Sequence, residues 1–379
     1  MQKRIRIVSV SIILAIILIG IIVMNNNSNN KYSFTQDGIK YALTLDGNKV
    51  TSFPFKGMYK AQVTCIGADG RWLYDDWKLA IENITSDDVT CDIKFETISK
   101  NNLNDYIISL LESEQGTGQV VNENGYRYEG KNPNNYIWFN NEYWRIIGVF
   151  DSASHGVSGQ NLVKIIRADV LDGLAWHKSN TNVWTASSLK SLLNGAYYNA
   201  QDGTSSGYCY GYSTTITANC DYTKKGIQSG YREMIANVTW YLGGSSSYNA
   251  TTEAFYGYER GTTVYSGSPT STTGYIGLMY PSDYGYSVLS NSCARTINLG
   301  SYSSATCAGQ SWLYGKGYEW TLTPYSSGSN NVFNLYDNGI LGNRYANNGY
   351  GSRPVLYLDA SVYKIDGDGS LENPYIVGM

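Results

Sequence analysis

The stretch NYIWFNNEYWRIIGVF, Asn135–Phe150, decides how the larger part of this chain is read. Two runs of aromatic and β-branched residues flank Asn140–Asn141, and an Asn pair suits a tight turn, so the stretch reads as a β-hairpin. Its second arm places Trp144, Ile146 and Val149 among the residues that a sheet buries. A further hairpin precedes it, with YRYEG (126–130) following the turn pair Asn124–Gly125, and NLVKIIRADV (161–170) reads as the next strand. TASSLKSLLNGAYY (185–198) breaks the pattern: Thr185 or Ser187 can cap a helix whose Leu189, Leu192 and Leu193 share one face, with Gly195 near its end. GYREMIANVTWYL (230–242) is expected to carry a second, weaker helix.

Beyond Gly243 the chain is rich in Ser, Gly, Thr and Tyr, interrupted by IGLMYPSDYGYS (276–287), SWLYG (311–315) and YEWTLTP (318–324). Long loops held by short strands are expected there. The last stretch reads as a strand containing VFNLY, a turn at Asn338–Gly339, an Asn-rich loop and an apolar strand VLYL.

Towards the N-terminus, YALTL, the pair Asp46–Gly47 and NKVTSF read as a hairpin, because Asp-Gly tolerates the positive φ angles of a type I′ turn. YKAQVTC (59–65) and VTCDIKF (89–95) are expected to face each other so that Cys65 and Cys91 meet, with WKLAIENIT as a further strand and Trp72 and Trp77 in a small core. LNDYIISLLESE (103–114), capped by Asn101 or Asn102, reads as a connecting helix ended by Gly116, Thr117 and Gly118. At the start, Lys3, Arg4 and Arg6 precede the uncharged run Ile7–Met24, close to the ~20 residues that cross a bilayer. Positive residues before the run keep the N-terminus in the cytoplasm. The expectation is a single-pass signal anchor in the cell membrane with the following domains extracellular. The alternative, a cleaved signal peptide, has an apolar region of about 7 to 15 residues and a small-x-small site, whereas here Ile-Val-Met runs into Asn25.

The expected fold class is therefore α+β: residues 1–30 as cytoplasmic tip, transmembrane helix and spacer, a small all-β domain at 31–97, a connecting helix at 98–118 and a long-looped domain at 119–379. Composition narrows function. The 379 residues are only 16% charged, against a usual value of about 25%, and carry 35 Tyr, 40 Gly and 2 His. A net charge of −3 lacks the basic footprint that displaces counterions from nucleic acid. Six cysteines lie beyond the apolar run and allow fifteen pairings. Their order suggests Cys65 with Cys91, Cys209 with Cys220 and Cys293 with Cys307, each stapling a local segment in an oxidising exterior. With no C-x-x-C and no histidine at zinc spacing, neither a metal nor a cofactor is expected.

The hairpin strand YWRIIGVF, the W-x-x-SSLKSLLN segment, IGLMYPSDYGYS, and the closing NNGYGS (Asn347–Ser352) followed by RPVLYL (Arg353–Leu358) together resemble bacterial C-type-lectin-like domains. The likeness runs from Gly125 to Val377 and is nearest to an uncharacterised family of Gram-positive surface proteins. That family is related in fold to formylglycine-generating enzymes and to the variable proteins of diversity-generating retroelements. The resemblance implies that both ends of the domain meet in one sheet while long loops form an exposed binding face, here Asn334, Tyr336, Asn338, Arg344, Tyr345, Asn347, Asn348 and Tyr350. Alternation in VFNLY agrees, pointing Phe333 and Leu335 inward and Asn334 and Tyr336 outward. Arg353 is expected to pair inside the fold. Trp320 is followed by Thr321 and Leu322, not by the Asn-Asp of calcium-dependent lectins, and the cysteines fit staples better than catalysis.

No nucleophile elbow, zinc-protease or phosphate-loop motif is present. His155 and His177 are weighed as bases for a serine and read as solvated loop residues instead. Asp366 and Asp368 read as a terminal turn, since the full calcium-ligand set is missing. Tyrosines interleaved with Ser, Gly, Thr and Asn have the composition of antibody paratopes, which supply rigid contact area at low entropy cost. The expected function is non-catalytic recognition or adhesion at the cell surface, with a protein or glycan ligand. The alternatives are a glycan-acting enzyme using Asp283 and Glu259, and a structural envelope protein.

Overall fold

The structure is a computed structural model that describes residues 6–7, 34–36, 38–54, 59–74, 76–98, 101–111, 120–315 and 317–379. The chain divides into two compact units, Met1–Lys100 and Asn101–Met379.

In the first unit, Asp46 (φ 49°) and Gly47 (φ 78°) both take positive φ, and Leu45 pairs with Asn48 across the two-residue turn that the Asp-Gly pair specifies. Strand Ile39–Leu45 then runs parallel to Val89–Thr97, and Tyr59–Ile66 lies antiparallel to the latter with Cys65 directly opposite Cys91. That register forms the first disulfide. Trp72 is buried against Phe95, with ring centroids 5.0 Å apart, and Trp77 packs edge-on to it at 5.2 Å. Trp77 is not wholly interior, and its Nε1 donates to the Pro54 carbonyl at 2.7 Å.

The second unit is built on a nine-stranded sheet. Asn140 and Asn141 have φ of 58° and 59° and join Tyr136–Phe139 to Glu142–Phe150, so the expected hairpin forms, with Phe139 paired to Glu142. Trp144, Ile146 and Val149 are buried as expected, but so are Arg145, Ile147 and Phe150, because both faces of this central strand are covered. Strand Tyr126–Tyr128 approaches at Gly148, where a Cβ would collide with the Tyr126 carbonyl and crowd the Arg127 backbone. The C-terminal strand Tyr375–Gly378 pairs in parallel with Tyr136–Phe139, which brings the two ends of the unit into one sheet. A five-stranded sheet follows the order Leu171–Ala175, Gly349–Ser352, Glu319–Pro324, Asn331–Leu335, Leu341–Tyr345. The remaining pairings of the sequence-suggested disulfides, Cys209–Cys220 and Cys293–Cys307, are both made here.

The α+β expectation is corrected to a mostly β architecture. The longest helix among the described residues, Thr252–Glu259, has eight residues. Apolar positions keep a helical period for one or two turns only before Gly, Asn or β-branched residues intervene. The connecting helix is Leu103–Ser109, and its buried Leu103 and Ile107 join the core of the second unit. Ser187 caps Ser188–Leu192 by accepting from the Lys190 N–H, after which the chain widens into a π-type turn at Leu193–Tyr197. In GYREMIANVTWYL helix survives only within Ser229–Arg232. Val238 and Trp240, alternating and buried, instead form strand Val238–Tyr241 against Ser271–Gly274.

The transmembrane helix expected over Ile7–Met24 is likewise corrected. Arg6–Ile7 is a short strand paired with Lys78–Glu82, and residues 8–24 lie outside the described residues. Among the described residues no helix is long and apolar enough to cross a membrane.

Replacing Cys293 and Cys307 together by Ser is expected to lower unfolding stability by about 3 kcal/mol, the loop-closure value for a segment of this length. Urea denaturation of the second unit's tryptophan fluorescence measures it, and an unchanged midpoint contradicts the staple.

Candidate functional site

Strand Glu319–Pro324 occupies the centre of the five-stranded sheet and positions most of the site. Tyr318 and Trp320 alternate onto one face, as residues two apart on a strand must. Tyr350, from the neighbouring strand Gly349–Ser352, stacks on Tyr318 with centroids 5.1 Å apart and planes inclined by 21°. It also meets the buried Trp320 at 4.9 Å. On the other side Tyr336 lies 5.4 Å from Tyr318. Its ring folds over Gly342, where any Cβ would collide with it. The Arg344 guanidinium then sits 4.3 Å above the Tyr336 ring, with Tyr318 and Tyr350 also among its neighbours. A ladder thus runs Trp320, Tyr350, Tyr318, Tyr336, Arg344, from core to surface.

Beside Tyr318 opens a cavity of about 230 Å³ lined by Val170, Gly173, Gly315, Gly317, Tyr318, Glu319 and Gly351. It adjoins the point where strand Leu171–Ala175 shifts register against Gly349–Ser352, between Leu171 and Leu174. Four of its seven lining residues are glycine, so backbone groups are accessible there. Glu319 is buried and committed to Arg353, whose Nε and Nη2 donate at 2.6 and 2.9 Å. Burial raises the Glu319 pKa and the Arg353 guanidinium opposes the rise. Arg353 is thus structural, as expected.

Of the eight expected ligand-binding residues, Tyr336, Arg344 and Tyr350 come together in the ladder. Asn348 joins them, its Nδ2 donating to the Tyr350 hydroxyl at 3.0 Å. Tyr345, 54% exposed, and Asn347 occupy the adjoining turn. The Asn347 carbonyl accepts from Ser213 of the hairpin held by Cys209–Cys220. That hairpin presents Tyr212 and Ile216 to solvent at 59% and 66% exposure. Asn338 is exposed, but its Oδ1 closes its own turn by accepting from Ile340 N–H at 3.1 Å. Asn334 is a correction: it is fully buried. Strand alternation turns it away from Phe333 and Leu335 but onto a covered face, between its cross-strand neighbours Trp320 and Gly342. Tyr318 and the glycine-lined cavity were missed. The two-residue spacing of Tyr318 and Trp320 in YEWTLTP was the available signal.

The two carboxylates of the enzyme alternative lie elsewhere, inside the core. Asp283 Oδ2 is 2.5 Å from Lys164 Nζ and accepts from Tyr280 N–H at 2.9 Å, while Oδ1 is 3.1 Å from Arg127 Nη1. Burial alone would raise its pKa; the two cations outweigh burial and hold the carboxyl below its ordinary value. Lys164 is pushed down to about 8 by burial, with Asp283 opposing. Glu259 is 0% exposed, accepts from Ser282 N and Oγ, and pairs with Arg260. Burial pushes its pKa up from 4.5 to about 7. Asp283 ties helix Pro281–Tyr286 to the sheet, Glu259 ties helix Thr252–Glu259 to the same helix, and both side chains are buried.

Both histidines are buried, not solvated. His155 Nε2 lies 3.0 Å from the Phe150 carbonyl and its Nδ1 accepts from Val157 N–H, while His177 Nδ1 accepts from Ser179 N–H. Burial lowers both pKa values. Asp368 accepts from Ser370 N–H in a turn with Gly367 and Gly369 at positive φ. Among the described residues no His, Cys, Asp and Glu cluster is arranged to hold a metal.

Comparisons with known proteins leave this geometry to stand by itself: no family model, no curated protein and no solved structure matches the chain.

Asp283→Ala strands two buried cations and is expected to cost about 3 to 5 kcal/mol, read by chemical denaturation. Glu259 gives a pH signature of the opposite kind. Its folded pKa lies above its unfolded value, so the stability it contributes is complete below about 4.5 and falls as pH rises to about 7. Glu259→Gln is expected to flatten the stability profile across that window, and a profile unchanged from the parent contradicts the assignment.

Proposed function

We propose that the second unit is a non-catalytic recognition module of an exported protein, and that it holds a glycan or protein ligand on the face formed by Tyr318, Tyr336, Tyr350 and Arg344. The observation that carries this reading is the aromatic ladder, which ends at a solvent-accessible cation beside an open, glycine-lined cavity. Rigid phenol rings give contact area with little entropy to lose, and their hydroxyls orient a polar partner. Asn348 extends the polar edge. Three disulfides, with no free cysteine among the described residues, support a location outside the reducing cytoplasm. A C-type-lectin-like arrangement belongs to this reading, and the parallel pairing of Tyr136–Phe139 with Tyr375–Gly378 supports it.

The test is a glycan and protein array probed with the full chain, its Tyr318→Ala and Tyr350→Ala variants, and Tyr258→Ala as an exposed control. Binding is expected to fall roughly tenfold or more in the first two, in keeping with an interface aromatic at a central position, and to persist in the control. Circular dichroism and thermal melts verify that the variants fold. A captured ligand indifferent to both ladder substitutions places recognition elsewhere on the molecule.

A further inference from the structure

Arg344 differs from the other arginines of its unit. Arg127, Arg167, Arg260, Arg295 and Arg353 each face a carboxylate. Arg145 is buried against Asn135 and Tyr136, and Arg232 donates to the carbonyls of Tyr198, Ile227 and Asn199. Arg344 forms no ion pair among the described residues; its polar neighbours are the Asn343 carbonyl, at 3.5 Å, and the hydroxyls of Tyr318, Tyr336 and Tyr350. Three tyrosines hold the half-buried guanidinium in place, with no carboxylate among the described residues opposite it. Lys178 repeats the pattern nearby. Its Nζ lies 5.0 Å from the Tyr210 ring centroid and 3.2 Å from that hydroxyl. Tyr210 belongs to the hairpin that packs on Gly349, where the Gly211 backbone leaves no room for a Cβ. The carboxylate lining the cavity, Glu319, is already neutralised by Arg353. The face therefore offers unmatched positive charge, and its lining acid repels an anion little.

We infer that the ligand is an acidic saccharide whose carboxylate pairs with Arg344, an assignment that rests on the recognition reading above. A guanidinium takes a carboxylate through two parallel N–H donors, which fixes orientation as well as charge. The cavity favours a sugar over a folded partner. At about 230 Å³ it has room for one ring-sized unit, whereas a helix is about 10–12 Å across. Added Cβ atoms at Gly173 and Gly317 would meet only open space, so a sugar ring can approach the backbone closely there. Tyr318 connects this cavity to the ladder, so a ring seated beside it can place its carboxylate towards Arg344.

The experiment titrates the full chain by calorimetry with oligogalacturonate, sialyllactose and hyaluronan fragments. Each is paired with its carboxyl-esterified counterpart, and polyglutamate is the acidic peptide control. At least one carboxylated saccharide is expected to bind, with esterification or Arg344→Gln weakening it roughly ten- to hundredfold, the range for a lost charged hydrogen bond. Arg344→Lys recovers part of the affinity, and rising salt weakens the parent more than Arg344→Gln. Equal affinity for acid and ester, with Tyr318→Ala still destroying binding, overturns the acidic inference and leaves recognition intact. A preference for polyglutamate overturns the saccharide assignment. No binding by any of these probes overturns the acidic-saccharide inference, while the recognition reading is decided separately by the glycan and protein array.

Discussion

The second unit depends on one buried carboxylate. Asp283 caps the helix Pro281–Tyr286 through the Tyr280 N–H, and at the same time joins Lys164 of one sheet strand to Arg127 of another. Two cations and one anion buried together are tolerable because both Asp283 oxygens are occupied and aromatic rings surround the ammonium, Tyr280 at 4.5 Å and Tyr357 at 5.6 Å. Glu259 reinforces the same corner from the end of helix Thr252–Glu259 by accepting from Ser282 N–H and Oγ. A segment that reads as loop is in this way fastened to the sheet.

With that corner fixed, the five-stranded sheet can devote one edge of its face to solvent. Trp320 anchors the ladder in the core, while Tyr350, Tyr318, Tyr336 and Arg344 are each half-buried. The register shift in strand Leu171–Ala175 adjoins the cavity beside Tyr318. The disulfide Cys209–Cys220 holds the neighbouring hairpin against this edge, with Ser213 N–H bonded to the Asn347 carbonyl at 2.7 Å. Ordering such loops in advance lowers the entropy lost on binding.

Local signals were legible where the chemistry is local. Asp46–Gly47, Asn124–Gly125 and Asn140–Asn141 all turn at positive φ as turn residues should, and Ser187 caps the helix it precedes. Longer elements were misread where tertiary contacts overrode a weak period: Val238 and Trp240 pack in a strand because a partner strand was available. Asn334 shows the same limit. Alternation gives its direction, but only neighbours from other strands make that direction an interior one.

By itself the sequence determined the turns and the hairpin at Asn140–Asn141, because these follow from backbone preferences over a few residues, and the order of the cysteines suggested the three pairings that form. The tertiary structure decided that Asp283, Glu259, His155 and His177 are interior, that Tyr318 completes a stack with Tyr336 and Tyr350, and that Arg344 remains unmatched. Burial and charge pairing join residues more than a hundred positions apart, as Arg127 and Asp283 are, and no spacing along a chain encodes which of them will meet.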